Sequence, residues 1–312
     1  MTASPIILYG ALRSGTTVFR QMLGAHPNLH NPGEADYLFD TLHQGPDGWR
    51  YDLDALTINR VFVDHGIKLP ESAEQMSGQA LLADFLGQFA ARGEGDLVLA
   101  IHRHIDKVAA LLPEARVLHL LRDPRDVARS CIGMGWAAHP YFGVDGWLGT
   151  ERAWDKAAPG LAGMRVLSLR YEDLIRETPE RLSEVCSFLG HAFDPQMLRY
   201  HERTTYGPPD PGLIEQWRRK MPPDEAALVE GQVGNLLEDR GYAPGPTRAR
   251  IPGQIEKLRL GIGNKLGVWL FAGRRYGFAT VLSEKLSRRL GLRGWHRRTM
   301  ERMNTRSRAF LK

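Results

Sequence analysis

A chain of 312 residues with 43% hydrophobic and 25% charged residues has the composition of a soluble globular protein, which argues against disorder, a collagen-like chain or a disulfide scaffold. Its net charge of +5 conceals two opposite balances: residues 246–312 hold 17 Lys and Arg against only Glu256, Glu284 and Glu301, a net of +14, which leaves residues 1–245 with 24 bases and 33 acids, a net of −9. A polyanion partner such as nucleic acid is therefore not expected for the body of the chain, and with no recognised module or aromatic platform it is not expected for the tail either. The start, MTASPIILYGALRSG, lacks the basic beginning and long apolar run of a secretory signal. No run of about 18 apolar residues is long enough to span a bilayer. A cytoplasmic protein is expected, its Cys131 and Cys186 being buried thiols at no metal-ligand spacing.

In chain order, IILYG at 6–10 reads as a buried strand, and residues 16–25 as a helix with Val18, Phe19, Met22 and Leu23 on one face, stopped by His26-Pro27. DLVLAIH at 96–102 is a strand, 105–112 a helix and RVLHLL at 116–121 a strand. Asp123-Pro124 opens the next helix. MRVLSLRYEDL at 164–174 predicts another strand, and 178–189 and 224–240 predict helices, the latter closed by Gly241. This alternation implies an α/β fold, a mostly parallel, P-loop-like sheet covered by helices on both faces. Residues 242–253, with three prolines and two glycines, read as a domain edge. We therefore expect a domain over 1–243 and a basic amphipathic helical extension over 244–312.

The loop after the first strand, Gly10-Ala-Leu-Arg13-Ser14-Gly15-Thr16-Thr17, leads into a helix and so aims backbone N–H groups at one point, a cradle for an anion. It has the glycine spacing of the ATP-binding loop GxxxxGK[ST], but Thr16 stands where the lysine belongs, and the cation, Arg13, comes three residues earlier. The bland reading is an ordinary turn with Thr as helix cap.

Arg13-Ser-Gly-Thr-Thr17, with the helix ending at His26-Pro27, resembles the 5′-phosphosulfate loop of sulfotransferases that use 3′-phosphoadenosine 5′-phosphosulfate (PAPS). A second element, RVLHLLRDPRDVARS at 116–130, resembles that family's 3′-phosphate element, with Arg122 and Ser130 at the family's spacing of eight; a third, LRYEDLIRETPERLSEVCSFLG at 169–190, resembles more weakly the family segment after a later strand, where a tyrosine contacts the nucleotide. The resemblance runs from about residue 5 to residue 243. It implies that Arg13, Ser14, Gly15, Thr16 and Thr17 hold the 5′-phosphosulfate, Arg13 also neutralising the departing oxygen, and that Arg122 and Ser130 take the 3′-phosphate. It assigns Tyr171 to the nucleotide, although a tyrosine at a strand end also serves simply as core. Arg122 lies at a strand's C-terminal end, where open α/β sheets bind ligands, and its planar fork suits phosphate oxygens. Arg125 and Asp126 read as a helix-start ion-pair cluster.

Sulfonyl transfer to a hydroxyl needs a base for the acceptor proton and positive charge at the departing oxygen. Many family members carry a Gly-Glu element about 21 residues after the loop arginine. Gly33-Glu34 stands there, which makes Glu34 the candidate base; the alternative is a loop acid capping the helix near Ala35. Other members use a His after a different strand. Here His102, Arg103 and His104 occupy a strand end where relatives often place a Lys; Arg103 or His102 could replace that contact, or His104 could be a second base. No metal is expected. Thr204 or Thr205 and Arg218, Arg219 and Lys220 resemble a late nucleotide-covering loop, or form a solvated face.

In the tail, Ile255, Leu258, Ile262, Leu266 and Trp269 recur at helical spacing beside Lys257, Arg259 and Lys265, and Phe278, Leu282, Leu286 and Leu290 beside Lys285, Arg288 and Arg289. Such stripes either pack on the domain or lie on a membrane face, the inner face for a cytoplasmic protein. Glycines 261, 263, 267, 273 and 277 weaken either helix. The resemblance implies a PAPS-dependent transferase acting on a hydroxyl-bearing acceptor (lipid, carbohydrate or small metabolite) without a metal. The alternatives are a P-loop kinase or NTPase, disfavoured by the missing lysine, and a non-catalytic nucleotide-binding, membrane-associated protein. Acceptor identity and oligomeric state stay open.

Overall fold

A computed structural model describes residues 4–308. The chain forms two compact units, Met1–Asp123 with Gly146–Ile214, and Pro124–Asp145 with Glu215–Lys312.

The first unit is built on five parallel strands, β1 (Ile6–Tyr9), β2 (Leu29–Glu34), β5 (Asp96–Ile101), β6 (Arg116–Leu121) and β7 (Arg165–Arg170), in the order β2-β5-β1-β6-β7. Ile7 of β1 sits between Leu99 of β5 and Val117 of β6. A central parallel strand has no solvent face, which is why IILY is apolar at every position and wholly buried. Alternate residues serve opposite layers: Ile7, Tyr9, Leu99, Ile101 and Val117 join one core with the helices Gly78–Ala90 and Ile105–Leu111, while Ile6, Leu8, Val98, Ala100 and Leu118 join another with Thr16–Gly24 and Thr178–Leu189. Helices thus cover both faces, as the strand–helix alternation implies.

Two local expectations change. The strand expected over 164–174 ends at Arg170, and Tyr171 begins the helix Tyr171–Arg176. Glu172 and Asp173 in its first turn favour that helix start, and Asp173 pairs back to Arg170 at 3.0 Å. Residues 42–51, read as no element, form an antiparallel hairpin of β3 (Leu42–Gly45) and β4 (Gly48–Tyr51).

In the second unit, the helix expected over 224–240 is two, Pro223–Val233 and Leu236–Asp239, because Gly234 adopts a backbone (φ 61°, ψ −140°) that no helix continues through. Arg125 is buried on the helix Pro124–Gly133 and pairs with Glu230 at 2.6 Å, its guanidinium 3.8 Å from the Trp217 ring centre; Asp126 accepts from the Trp217 N–H at 2.8 Å. Both residues thus have partners distant in the sequence, which tie the helix start to the later helices. Among the described residues the tail forms three helices, Gln254–Tyr276, Phe278–Arg289 and Arg293–Arg308. Its glycines do not break the first: Gly267 lies where a Cβ would come within 2.4 Å of the Ala138 Cβ, and three residues away Asn264 accepts from the Ala138 N–H at 2.7 Å. These small residues are the packing face. Among the described residues no helix is long and apolar enough to cross a membrane.

Candidate active site

Because the five strands are parallel, their C-terminal ends share one edge of the sheet, and each carries a side chain of interest. Arg13 and its loop follow β1, Glu34 closes β2, His102 follows β5, Arg122 follows β6 and Tyr171 follows β7. The chain leaves β1 toward the β2 side and leaves β6 toward β7, so the crevice outside the ends of β1 and β6 is the topological switch point where such sheets bind ligands.

The loop is held in an unusual shape. Arg13 (φ 73°) and Gly15 (φ 92°) both adopt left-handed backbone, which costs a non-glycine residue roughly 1–2 kcal/mol and persists mainly at functional sites. Ser14 donates its N–H to Ala11 O at 3.0 Å, while its Oγ is wholly buried with no hydrogen-bond partner. A hydroxyl orphaned at a helix N-terminus suits an anionic oxygen. Thr16 and Thr17 open the helix, Thr16 almost fully buried and Thr17 partly exposed.

Glycine is required at position 15 for a second reason: a Cβ there would lie 2.3 Å from Tyr171 Cδ2. The Tyr171 ring, 3% exposed, is therefore pressed between the loop and Arg122, whose guanidinium stands 4.3 Å from the ring centre. Gly15→Ala should strain the backbone by roughly 1–2 kcal/mol and overpack the ring by roughly 1–3 kcal/mol. We expect a melting midpoint several degrees lower in a thermal-shift measurement.

Arg122 is tied into the same place. Nη1 donates to Arg13 O at 3.0 Å and Nη2 to Leu213 O at 2.9 Å, while Nε is buried without a partner. The Trp147 indole N–H donates to Arg122 O at 3.0 Å, fixing the strand end. Trp147 itself is wholly buried. Asp123 is almost fully buried, and its N–H is bound by Glu172 Oε1 at 3.0 Å. Ser130 belongs to the second unit, partly buried on Pro124–Gly133.

At the other side of β1, His102 Nε2 faces Glu34 Oε1 at 3.8 Å, an ion-pair contact rather than a hydrogen bond. His102 is 3% exposed; the Glu34 side chain is 43% exposed and open to an incoming group. His102 Nδ1 lies 2.8 Å from Gly10 O, and since a carbonyl only accepts, Nδ1 carries a proton; in the imidazolium Nε2 carries the second and faces Glu34. The His102 N–H donates to Asp36 at 2.8 Å. Facing His102 lowers the Glu34 pKa; burial opposes this, and Arg20 and Arg60 assist. Burial disfavours charge on His102, but Glu34, Asp36 and the Gly10 carbonyl outweigh it and its pKa is raised.

Arg103 and His104 go elsewhere. Arg103 grips both Asp40 oxygens, at 2.7 and 2.8 Å, and His104 Nε2 meets the same carboxylate at 2.9 Å. Lys107 Nζ donates to Phe39 O and Leu42 O, each at 2.6 Å. Of the four basic residues that follow β5, His102 is the one brought to Glu34. Sequence reasoning missed Asp36, three residues after Gly33, and Arg20, whose charge reaches Glu34 from the first helix. A lone arginine off the apolar face of that helix was the available signal.

Comparison with known proteins bears on the family and the fold. The family model described as "Sulfotransferase family" matches residues 5–195. An uncharacterised protein of Aquifex aeolicus is 27% identical over 233 residues, covering 69% of this chain and 29% of that protein. Carbohydrate sulfotransferase 6 of Homo sapiens is 26% identical over 168 residues, covering 41% of this chain and 42% of that protein. The chain thus spans less than half the length of either relative. Among solved structures, the sulfotransferase domain from the curacin biosynthetic pathway shares the fold, with a TM-score of 0.56 at 20% identity over 78% of this chain and all of that one. With a family model matched over most of its length, the chain belongs to the sulfotransferase family.

Proposed function

We propose that this protein transfers the sulfonyl group of PAPS to a hydroxyl of an acceptor by in-line displacement. The observation that carries the reading is the convergence, at the sheet's carboxyl edge, of an anion cradle without a lysine and a carboxylate paired with a histidine. In this reading the acceptor oxygen forms a bond to sulfur, its proton passes to Glu34, and the bond from sulfur to the bridging phosphate oxygen breaks. Adenosine 3′,5′-bisphosphate leaves. Arg13, with the N–H groups and hydroxyls of Ser14, Gly15, Thr16 and Thr17, neutralises the departing phosphate. Arg122 binds the 3′-phosphate on the Tyr171 platform, and Ser130 is assigned to the same phosphate on its sequence spacing. Protonated His102 supplies the positive charge near the sulfonyl group that relatives draw from a lysine, and holds Glu34 ionised.

A kinase or NTPase on the same sheet finds less support. Thr16 replaces the phosphate-binding lysine, and the buried Asp123 is engaged at a helix start. The full chain is expected to turn over PAPS in the presence of EDTA and to bind adenosine 3′,5′-bisphosphate in calorimetry. Tight binding of ATP with Mg²⁺, and none of the bisphosphate, would overturn the reading. The acceptor is a hydroxyl compound, and a carbohydrate hydroxyl is the first class to assay, on the likeness to a carbohydrate sulfotransferase.

A further inference from the structure

The second unit exposes an apolar surface that the transfer chemistry does not use. On the helix Gln254–Tyr276, Ile255 is 71% exposed, Leu258 64%, Ile262 60% and Leu266 54%. At about 100° per residue these side chains and Trp269 fall within a strip about 80° wide. The face that packs is the opposite one. Gly261, Asn264, Gly267 and Phe271 meet residues 135–142, where Asn264 caps the Ala138 and His139 N–H groups and a Cβ at Gly135 would strike the Phe271 ring. The strip is therefore turned away from the unit it belongs to, not folded onto it.

The strip continues into the next helix. The Trp269 ring lies 4.7 Å, centre to centre, from Phe278, and beyond it Leu282 and Leu286 are again exposed on the face opposite the buried Val281 and Ser287. The third helix packs behind this one: Trp295 donates to Ser283 Oγ at 2.8 Å, and Ser283 meets Thr299 at 3.0 Å. Bases border the apolar strip. Arg259 and Lys265 flank it on either side of the first helix, and Lys285 and Arg289 share the exposed face of the second, all exposed. A contiguous exposed apolar strip is uncommon on a surface that stays in water.

We propose that this two-helix face docks on an anionic phospholipid surface, apolar side chains entering the interface and the basic residues reaching the headgroups. The inference is independent of the transfer reaction. Charge selects the occupant. A second copy would bring one +14 segment against another, and nucleic acid offers no apolar medium to cover the strip. An interfacial helix with leucine, isoleucine and tryptophan inward and lysine and arginine at its borders matches a lipid surface in both respects.

The test uses the full chain and vesicle sedimentation. Binding is expected to phosphatidylcholine vesicles containing phosphatidylglycerol, and to be far weaker to phosphatidylcholine alone. Ile262→Glu with Leu266→Glu, at positions with no packing role, should leave circular dichroism unchanged and lower partitioning by about a hundredfold or more, each buried aliphatic side chain contributing roughly 1.5–3 kcal/mol. Lys265→Glu should lower binding to the anionic vesicles by about fivefold or more, since each base near such a surface contributes about 1 kcal/mol. Equal sedimentation of the wild type and the double variant overturns the proposal, as does its absence with anionic vesicles. So does a dimer, seen by ultracentrifugation, that the double variant dissociates while vesicles bind neither protein.

Discussion

Glu34→Gln is expected to lower kcat for sulfonyl transfer by about 10²–10⁴-fold, with the affinity for adenosine 3′,5′-bisphosphate unchanged. Glutamine keeps the size of the side chain but cannot accept the acceptor's proton, and Glu34 lies with His102 at the β5–β2 side of the edge rather than among the groups proposed to bind phosphate. His102→Ala should also depress kcat, by a different route that a pH profile separates. In the proposed reaction the active pair is carboxylate and imidazolium. The Glu34 pKa is lowered, so the acid limb lies below the ordinary glutamate value of 4.5; the His102 pKa is raised, so the alkaline limb lies above the ordinary histidine value of 6.5. Removing His102 takes away the main influence that lowers Glu34, and the acid limb should move up in pH while the alkaline limb disappears. If only kcat fell and both limbs stayed, the pair would not be the titrating unit.

The same shifts fix the sign of the pair's contribution to stability. A lowered Glu34 stabilises the fold above its unfolded-state value, and that contribution is lost as pH falls through the folded value. A raised His102 stabilises below its unfolded-state value, and this is lost as pH rises through the folded one. Both contributions are therefore fully present between 4.5 and 6.5. With Glu34 nearly half exposed, solvent screening keeps its share small.

β2, whose LHNPGE is mostly polar, carries no apolar run, but the other four strands of the sheet were legible because each is one, and a buried parallel strand has little freedom to be anything else. The hairpin at 42–51 was not, since Leu42-His-Gln-Gly is mostly exposed and lacks the alternation of a half-buried strand. The loop from Arg13 to Thr17 stood out in the sequence because glycine spacing and the missing lysine are local features. Which of His102, Arg103, His104 and Lys107 reaches Glu34 was not local: it depends on Asp40 and on the carbonyls of Phe39 and Leu42, which come from a distant helix end. The tail misled in the other direction. Its glycines looked like helix breakers, yet Gly267 with Asn264 forms the packing face that turns the apolar residues outward.

Arg122→Ala is the second large effect, and the choice of ligand decides its meaning. A hydrogen bond between arginine and phosphate contributes roughly 1.5–3 kcal/mol, so loss of a forked pair should weaken adenosine 3′,5′-bisphosphate by at least about a hundredfold. The affinity for 5′-AMP, which lacks the 3′-phosphate, should fall much less. It should still fall, because Arg122 also holds Arg13 O and covers the Tyr171 ring, and without it the loop loses a support. Arg122→Lys separates the two roles: it keeps the positive charge but not the planar fork, and so should recover part of the bisphosphate affinity while leaving the loop contacts broken. Calorimetry with both ligands on the three proteins measures the ratio directly. An equal loss for 5′-AMP and the bisphosphate would make Arg122 a brace for the loop alone and remove it from the 3′-phosphate site.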